Sequence, residues 1–294
     1  MVNRLRQRIC LLFMCLVSAV AQADGIDVPE RQVFFGGLHT HTGWSVDTYN
    51  PRLTSGPEDA YRFARGEAII HVTGEQIQLK SGALDFFAVT DHSEYLGLAR
   101  TLKKDSPLAQ NPFIKRLLSE DVKVNFKARL DLRVSRNARK VLPELQDPFI
   151  LQYPWQQLIK ITERFNKPNE FTTFVGFEWT SQPNQANMHR VVLFGDSTGL
   201  PEQPISAFDT EEVAGLWDWL DAQRAKGADV LAIPHNANIS DGRMFPVTGE
   251  YISAARSAQR RRNEPLVEIM QSKGASETHP SLSPNDEWAD FAIR

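Results

Sequence analysis

Seven histidines are spread through this chain of 294 residues, and five of them border short apolar runs. His39-Thr40-His41 follows Val33-Phe34-Phe35-Gly36-Gly37, and Asp91-His92 follows the run from Leu84 to Val89. Glu178 follows Phe171 to Phe177, His189 precedes Val191 to Phe194, and His235 follows Val230 to Pro234. In an extended segment residues i and i+2 point to the same side, so His39 and His41 can reach one ion. Each short motif alone has an ordinary structural or solvated reading. Together they place metal-competent side chains at strand termini, where sites assemble in parallel α/β folds. All the donors are nitrogen or oxygen, which favours Zn, Mn or Fe over a thiolate-bound ion. Several imidazoles with a shared carboxylate fit more than one ion. Such a cluster activates water and stabilises the leaving oxygen of a phosphoryl displacement.

Two other histidines carry less. His71 lies between Ile69-Ile70 and Val72 in a strand or hairpin and reads as structural. His279, in Glu277-Thr278-His279-Pro280, is either solvated or at the border of the site.

The elements that would position these groups alternate. Apolar runs at 33–35, 84–89, 171–177, 191–194, 230–233 and 266–270 predict strands buried on both faces, as in parallel sheets covered by helices. Helical patterns fall at 58–65, 155–165 and 211–226, the last carrying Trp217 and Trp219. Residues 94–170 are rich in charge with Leu and Phe at helical intervals, which predicts an insertion of two to four helices. This alternation predicts a parallel α/β arrangement, most simply a barrel.

Composition bounds the remaining possibilities. Hydrophobic residues make up 41% of the chain and charged residues 23%, so a real core can form. Residues 1–23 have a basic start at Arg4, Arg6 and Arg8, an apolar stretch from Ile9 to Val20, and Ala21-Gln22-Ala23. That layout predicts a cleaved signal peptide, export to the periplasm or medium, and no stable membrane anchor after cleavage. Both cysteines, Cys10 and Cys15, fall inside it, so the 24–294 domain has neither disulfides nor a thiolate nucleophile. It keeps 30 basic against 36 acidic residues, a formal charge of −6, with no basic stripe interleaved with aromatics. Both features argue against nucleic-acid binding.

Phe35-Gly36-Gly37-Leu38-His39-Thr40-His41-Thr42 with Asp47, and Leu84-Asp85-Phe86-Phe87-Ala88-Val89-Thr90-Asp91-His92, resemble the first two motifs of the polymerase-and-histidinol-phosphatase (PHP) superfamily. With Gly176-Phe177-Glu178-Trp179-Thr180 and Asn187-Met188-His189-Arg190 the chain resembles the family DUF3604 within it. The resemblance runs from Val33 onward and implies a distorted (β/α)7 barrel with two or three divalent ions. It implies His39 and His41 on a first ion, Glu178 bridging to a second ion held by His189 and His235, and Asp47 with His92 on a third. Asp91 is then expected to act at the site by hydrogen bonding rather than as a ligand. The superfamily closes its site with a late Asp-x-His pair. None follows Glu268, so a barrel incomplete at its C-terminal part is expected.

The expected activity is metal-dependent hydrolysis of a small-molecule phosphate ester by metal-activated water, with Glu178, Asp91 and Arg190 as the candidate catalytic set. Arg190 and Arg243 are candidates to bind phosphate, although surface arginines more often have no such role. Hydrolysis of an amide or lactone would use the same water. A third reading is a non-catalytic secreted domain that has lost its last metal motif.

Overall fold

A computed structural model describes residues 32–46, 55–98, 107–246, 248–276, 281 and 285. The segment 1–23, Asp47 and His279 lie outside the described residues, as does all but 32–34 of the stretch before Phe35.

The chain from Phe35 builds a mixed α/β unit on a five-stranded sheet curled into a half-barrel. In chain order the elements are β1 (Gly36–Gly37), α1 (Pro57–Ala64), β2 (Ile69–Ile70), β3 (Gln76–Ile77), β4 (Phe86–Val89), α2 (Pro112–Leu117), α3 (Val122–Asn137), α4 (Pro148–Phe165), β5 (Thr172–Trp179), β6 (Arg190–Phe194), α5 (Val213–Ala225), β7 (Val230–Pro234), α6 (Ala254–Asn263), β8 (Met270–Gln271) and β9 (Gly274–Ala275). The main sheet has the order β1-β4-β5-β6-β7, while β2-β3 and β8-β9 are separate two-stranded hairpins.

The sheet is not wholly parallel, which corrects the expectation from sequence. β1, β4 and β5 pair in parallel, but β6 runs antiparallel to both β5 and β7. The cause is the short link 180–189, which holds only the single turn Pro183–Gln185. A parallel partner needs a crossover of a dozen or more residues, usually through a helix.

The sequence pattern misplaces both ends of the sheet. Val33, Phe34 and Phe35 are exposed, and the first strand is Gly36–Gly37 alone. It lies so close to β4 that a Cβ on Gly36 would stand 2.3 Å from the Phe86 ring, so only glycine fits. Asp85, the one charge in the apolar run before β4, fixes this edge through its carboxylate, which accepts from Phe35 N at 2.7 Å. At the other end Leu266 to Met270 adds no strand to the main sheet; only Met270 pairs, in the β8–β9 hairpin. Leu266, Val267, Ile269 and Met270 are about half exposed, and one bond, Glu268 N to Pro234 O at 3.0 Å, ties the segment to β7.

Side chains alternate across the sheet. Phe87, Val89, Val175, Phe177, Val192, Phe194, Val230 and Ala232 face the main core, with Tyr61 of α1, Trp155 and Leu158 of α4, and Leu216, Trp217 and Leu220 of α5. The α5 positions 213, 216, 217 and 220 follow the i, i+3, i+4, i+7 rule. Ala88, Val191, Leu193 and Ile233 face the other way, into the curl of the sheet. The insertion has a core of its own around Tyr95, Leu98, Phe113, Ile114, Leu117, Leu132 and Ile150. Its three α-helices start on Asn111, Asp121 and Asp147, whose side chains accept from backbone N–H groups of the first turn.

Candidate metal centre

The reversed strand explains why His189 precedes its strand while the other site residues follow theirs. Because β6 runs backwards, its N-terminal end lies beside the C-terminal ends of β5 and β7, with Arg190 paired to Trp179 and Pro234. His39 and His41 leave β1, Asp91 and His92 leave β4, Glu178 ends β5, and His235 leaves β7 at this same edge.

There the structure gathers five imidazoles around one carboxylate. Glu178 is 1% exposed. Its Oε2 lies 2.5 Å from His41 Nε2 and 3.3 Å from His39 Nε2. Its Oε1 lies 2.6 Å from His189 Nδ1, 3.2 Å from His235 Nε2 and 3.6 Å from His92 Nδ1. The two oxygens thus face two different histidine sets. The His39 and His235 rings are 4.2 Å apart at their centroids, and those of His41 and His92 4.5 Å.

The electrostatics are those of a buried anion among mostly desolvated bases. Burial alone would push the Glu178 carboxyl up, but His92, His235, His41 and His189 outweigh it and hold the carboxyl well below the usual range. Burial pushes His189 down to about 3 and lowers His235, against the pull of Glu178 on both. Burial also acts to lower His39, but its hydrogen bonds to Glu178 and Glu268 prevail and raise it to about 9.

This arrangement fits a cation. Imidazole nitrogens crowd a carboxylate whose oxygens carry only lone pairs, and His189 Nε2 and His235 Nδ1 are buried with no hydrogen-bond partner. His39, His41 and Glu178 offer ligand atoms within 4.8 Å of one another, as do Glu178, His189 and His235. So do His39, His235 and Glu268. Groups of nitrogen and oxygen donors at this spacing could hold divalent ions.

A surrounding layer holds the ligands in place. Asp91 is fully buried; its Oδ1 accepts from Thr42 N at 2.5 Å and its Oδ2 from Thr42 Oγ1 at 2.7 Å, which pins the turn after His41. Thr180 Oγ1 bonds His92 Nδ1 and donates to Glu178 O at 3.3 Å. A hydroxyl that donates there accepts the proton of His92 Nδ1, which sets the tautomer of His92. Asn187 Oδ1 accepts from His189 N at 3.2 Å.

Three residues stand differently in the structure from a reading of them as catalytic or as bystanders. Arg190 does not line the cluster. Its neighbour His189 faces the curl, so by the alternation of strand side chains Arg190 faces the helices. It is fully buried there, with Nε 3.0 Å from Glu264 Oε1 and a terminal nitrogen 2.6 Å from Met188 O. Asp91 touches Thr42 rather than lying open to a substrate, so it positions the site. Glu268 was missed: its Oε2 is 2.7 Å from His39 Nδ1. A lone carboxylate in the apolar run 266–270 was the available signal. His71 sits in the β2–β3 turn and bonds Thr73, away from the site.

Beside His39 and His41 opens a cavity of about 710 Å³. Its walls are mostly apolar, with Leu38, Phe86, Val191, Ile233 and Leu266 among them, and Lys273 is the one lysine or arginine lining it among the described residues.

Fold and site together define a mixed α/β protein with a buried His/Glu cluster at one sheet edge that could hold metal ions. The chain belongs to the family described as "Protein of unknown function (DUF3604)", whose profile matches residues 28–294. No curated protein and no solved structure matches it.

Proposed function

We propose that this protein is a metal-dependent hydrolase of the PHP type, exported after cleavage of residues 1–23, that splits phosphate esters with metal-activated water. The observation that carries the reading is Glu178, whose two oxygens face two separate histidine sets from the centre of the cluster. His39 and His41 would hold one ion and His189 and His235 a second, with Glu178 shared; His92 and Asp47 would hold a third. Divalent ions in such a site lower the pKa of water and offset charge on the phosphoryl oxygens.

The protein's own side chains hold the ligands in place. Thr180 sets the tautomer of His92, Glu268 orients His39 through Nδ1, and Asp91 fixes the turn that carries His41. In the overall reaction the water oxygen bonds to phosphorus and the ester P–O bond breaks. The alcohol leaves with one of the protons of water.

The cavity favours one second reading. Walls this apolar, with a single lysine, suit the body of a carboxylic ester, amide or lactone, and the same water would cleave it. Protein purified with Mn or Zn and assayed on aryl phosphates, carboxylic esters and lactones tests both readings. Phosphate release abolished by chelation and restored by metal supports the first. Acyl cleavage without phosphate release assigns the second. A protein that binds no metal by elemental analysis refutes both.

A further inference from the structure

Helix α3 carries a face that nothing among the described residues covers. Its buried side is narrow, formed by Ala128, Leu132 and Ser135. On the opposite side Val122, Phe126, Leu130 and Val134 recur every four residues and are 79%, 67%, 45% and 57% exposed. At 100° per residue the four spread over roughly 120° of the helix surface, centred away from the buried side. Exposed Lys123, Lys127 and Arg133 lie among them, and no carboxylate among the described residues pairs with these three. A solvated helix face is ordinarily polar, so a row of bare Val, Phe and Leu side chains marks a surface that something covers.

Charge indicates what covers it. Between residues 115 and 140 stand nine Lys and Arg against three Asp and Glu, in a chain with 33 basic and 36 acidic residues. The apolar row thus sits in the most basic stretch of an acidic protein. A second copy docked on this face would set the same lysines and arginine against each other, which like charges disfavour. Apolar and long basic side chains interleaved on one helix face suit a layer with anionic phosphates above and hydrocarbon below.

We propose that α3 docks on an anionic phospholipid surface. Val122, Phe126, Leu130 and Val134 enter the boundary between headgroups and acyl chains, while Lys123, Lys127 and Arg133 meet the phosphates. The helix lies on the surface rather than spanning it. No helix among the described residues is long and apolar enough to cross a membrane.

The test is flotation of the purified full chain with vesicles of equimolar phosphatidylglycerol and phosphatidylcholine, and with phosphatidylcholine alone. Binding to the anionic vesicles only, weakened by salt, is expected. Phe126→Glu with Leu130→Glu should lower partitioning at least about 10-fold, because both apolar contact and attraction to the surface are lost. Lys123→Glu with Lys127→Glu should lower it comparably and flatten the salt dependence. All four positions are exposed, and unchanged circular dichroism and thermal melting confirm that the variants fold. Three results overturn the proposal: no binding, equal binding to both vesicle types, or a dimer in lipid-free sedimentation that the Phe126 and Leu130 substitutions dissolve.

Discussion

Replacing Glu178 by Gln is the sharpest single test of the cluster. The side chain keeps its shape, so the fold should survive. What changes is that the buried anion disappears and one of its two oxygens becomes an amide nitrogen without a lone pair to offer. Oε2 lies 2.5 Å from His41 Nε2, and Oε1 lies 2.6 Å from His189 Nδ1. Whichever way the amide turns, one histidine set loses its shared oxygen and both lose the negative charge. Changes to groups that merely orient ligands cost about 10–100-fold in metal affinity. Loss of a charged ligand should cost at least about 100-fold, or about 2.7 kcal/mol, at one of the two sites. Isothermal titration with Mn or Zn, elemental analysis and circular dichroism read this directly, and hydrolysis should fall by more than about 100-fold. Wild-type metal stoichiometry and affinity in the folded variant would refute the shared-carboxylate reasoning and leave Glu178 a structural group.

Other expectations concern the layer around the site and the fold. Thr180→Val removes the hydroxyl that holds His92 Nδ1; metal affinity should drop about 10-fold, with Thr180→Ser restoring it, as titration will show. Arg190→Leu takes the nearer arginine from buried Glu264, which keeps only Arg260 at 3.6 Å and the Trp217 N–H, so chemical denaturation should report a loss of about 3 kcal/mol. Metal content per folded molecule should stay unchanged, which a phosphate-binding or catalytic Arg190 has no need to obey. At Asp221 burial acts to raise the carboxyl, but Arg262, Gln259 and Asn263 outweigh it and lower its pKa to about 2. The folded value is the depressed one, so its stabilisation is present above the ordinary pKa near 3.8 and lost as pH falls towards 2. The side chain is partly open to solvent, so screening limits the loss to about 1 kcal/mol. Denaturation of Asp221→Asn should lack that component of the acid transition.

The residues of the cluster were legible because each sits at the end of an apolar run, and that edge is where the sheet's topology gathers them. The distinction between His189 and Arg190 was not. Both are polar, adjacent and fully or nearly buried, and only the phase of the strand sends one to Glu178 and the other to Glu264. The direction of β6 was hidden for a related reason: an apolar run reads the same in either direction, and only the shortness of the link 180–189 marks it. Val33 to Phe35 and Leu266 to Ile269 matched the composition of buried strands, but composition does not supply a pairing partner. Glu268 was obscured by the same assignment, since a carboxylate in a presumed strand drew less attention than a histidine at its end.

The supporting residues also bear on how metal binding relates to folding. In small zinc domains the ligands are brought together by the ion, and without it the chain unfolds. Here the ligands are held by groups outside the Glu178-centred ligand sets: Thr42 and Asp91 at the turn after His41, Thr180 on His92, Asn187 at the backbone of His189. The helix-facing core, with Trp155, Phe177, Trp217 and Leu220 fully buried, lies on the other side of the sheet and makes no use of the cluster. An ion would then bind a site already assembled by the fold. Binding would add to stability by mass action, as for any ligand of the folded state, rather than serve as a condition of folding.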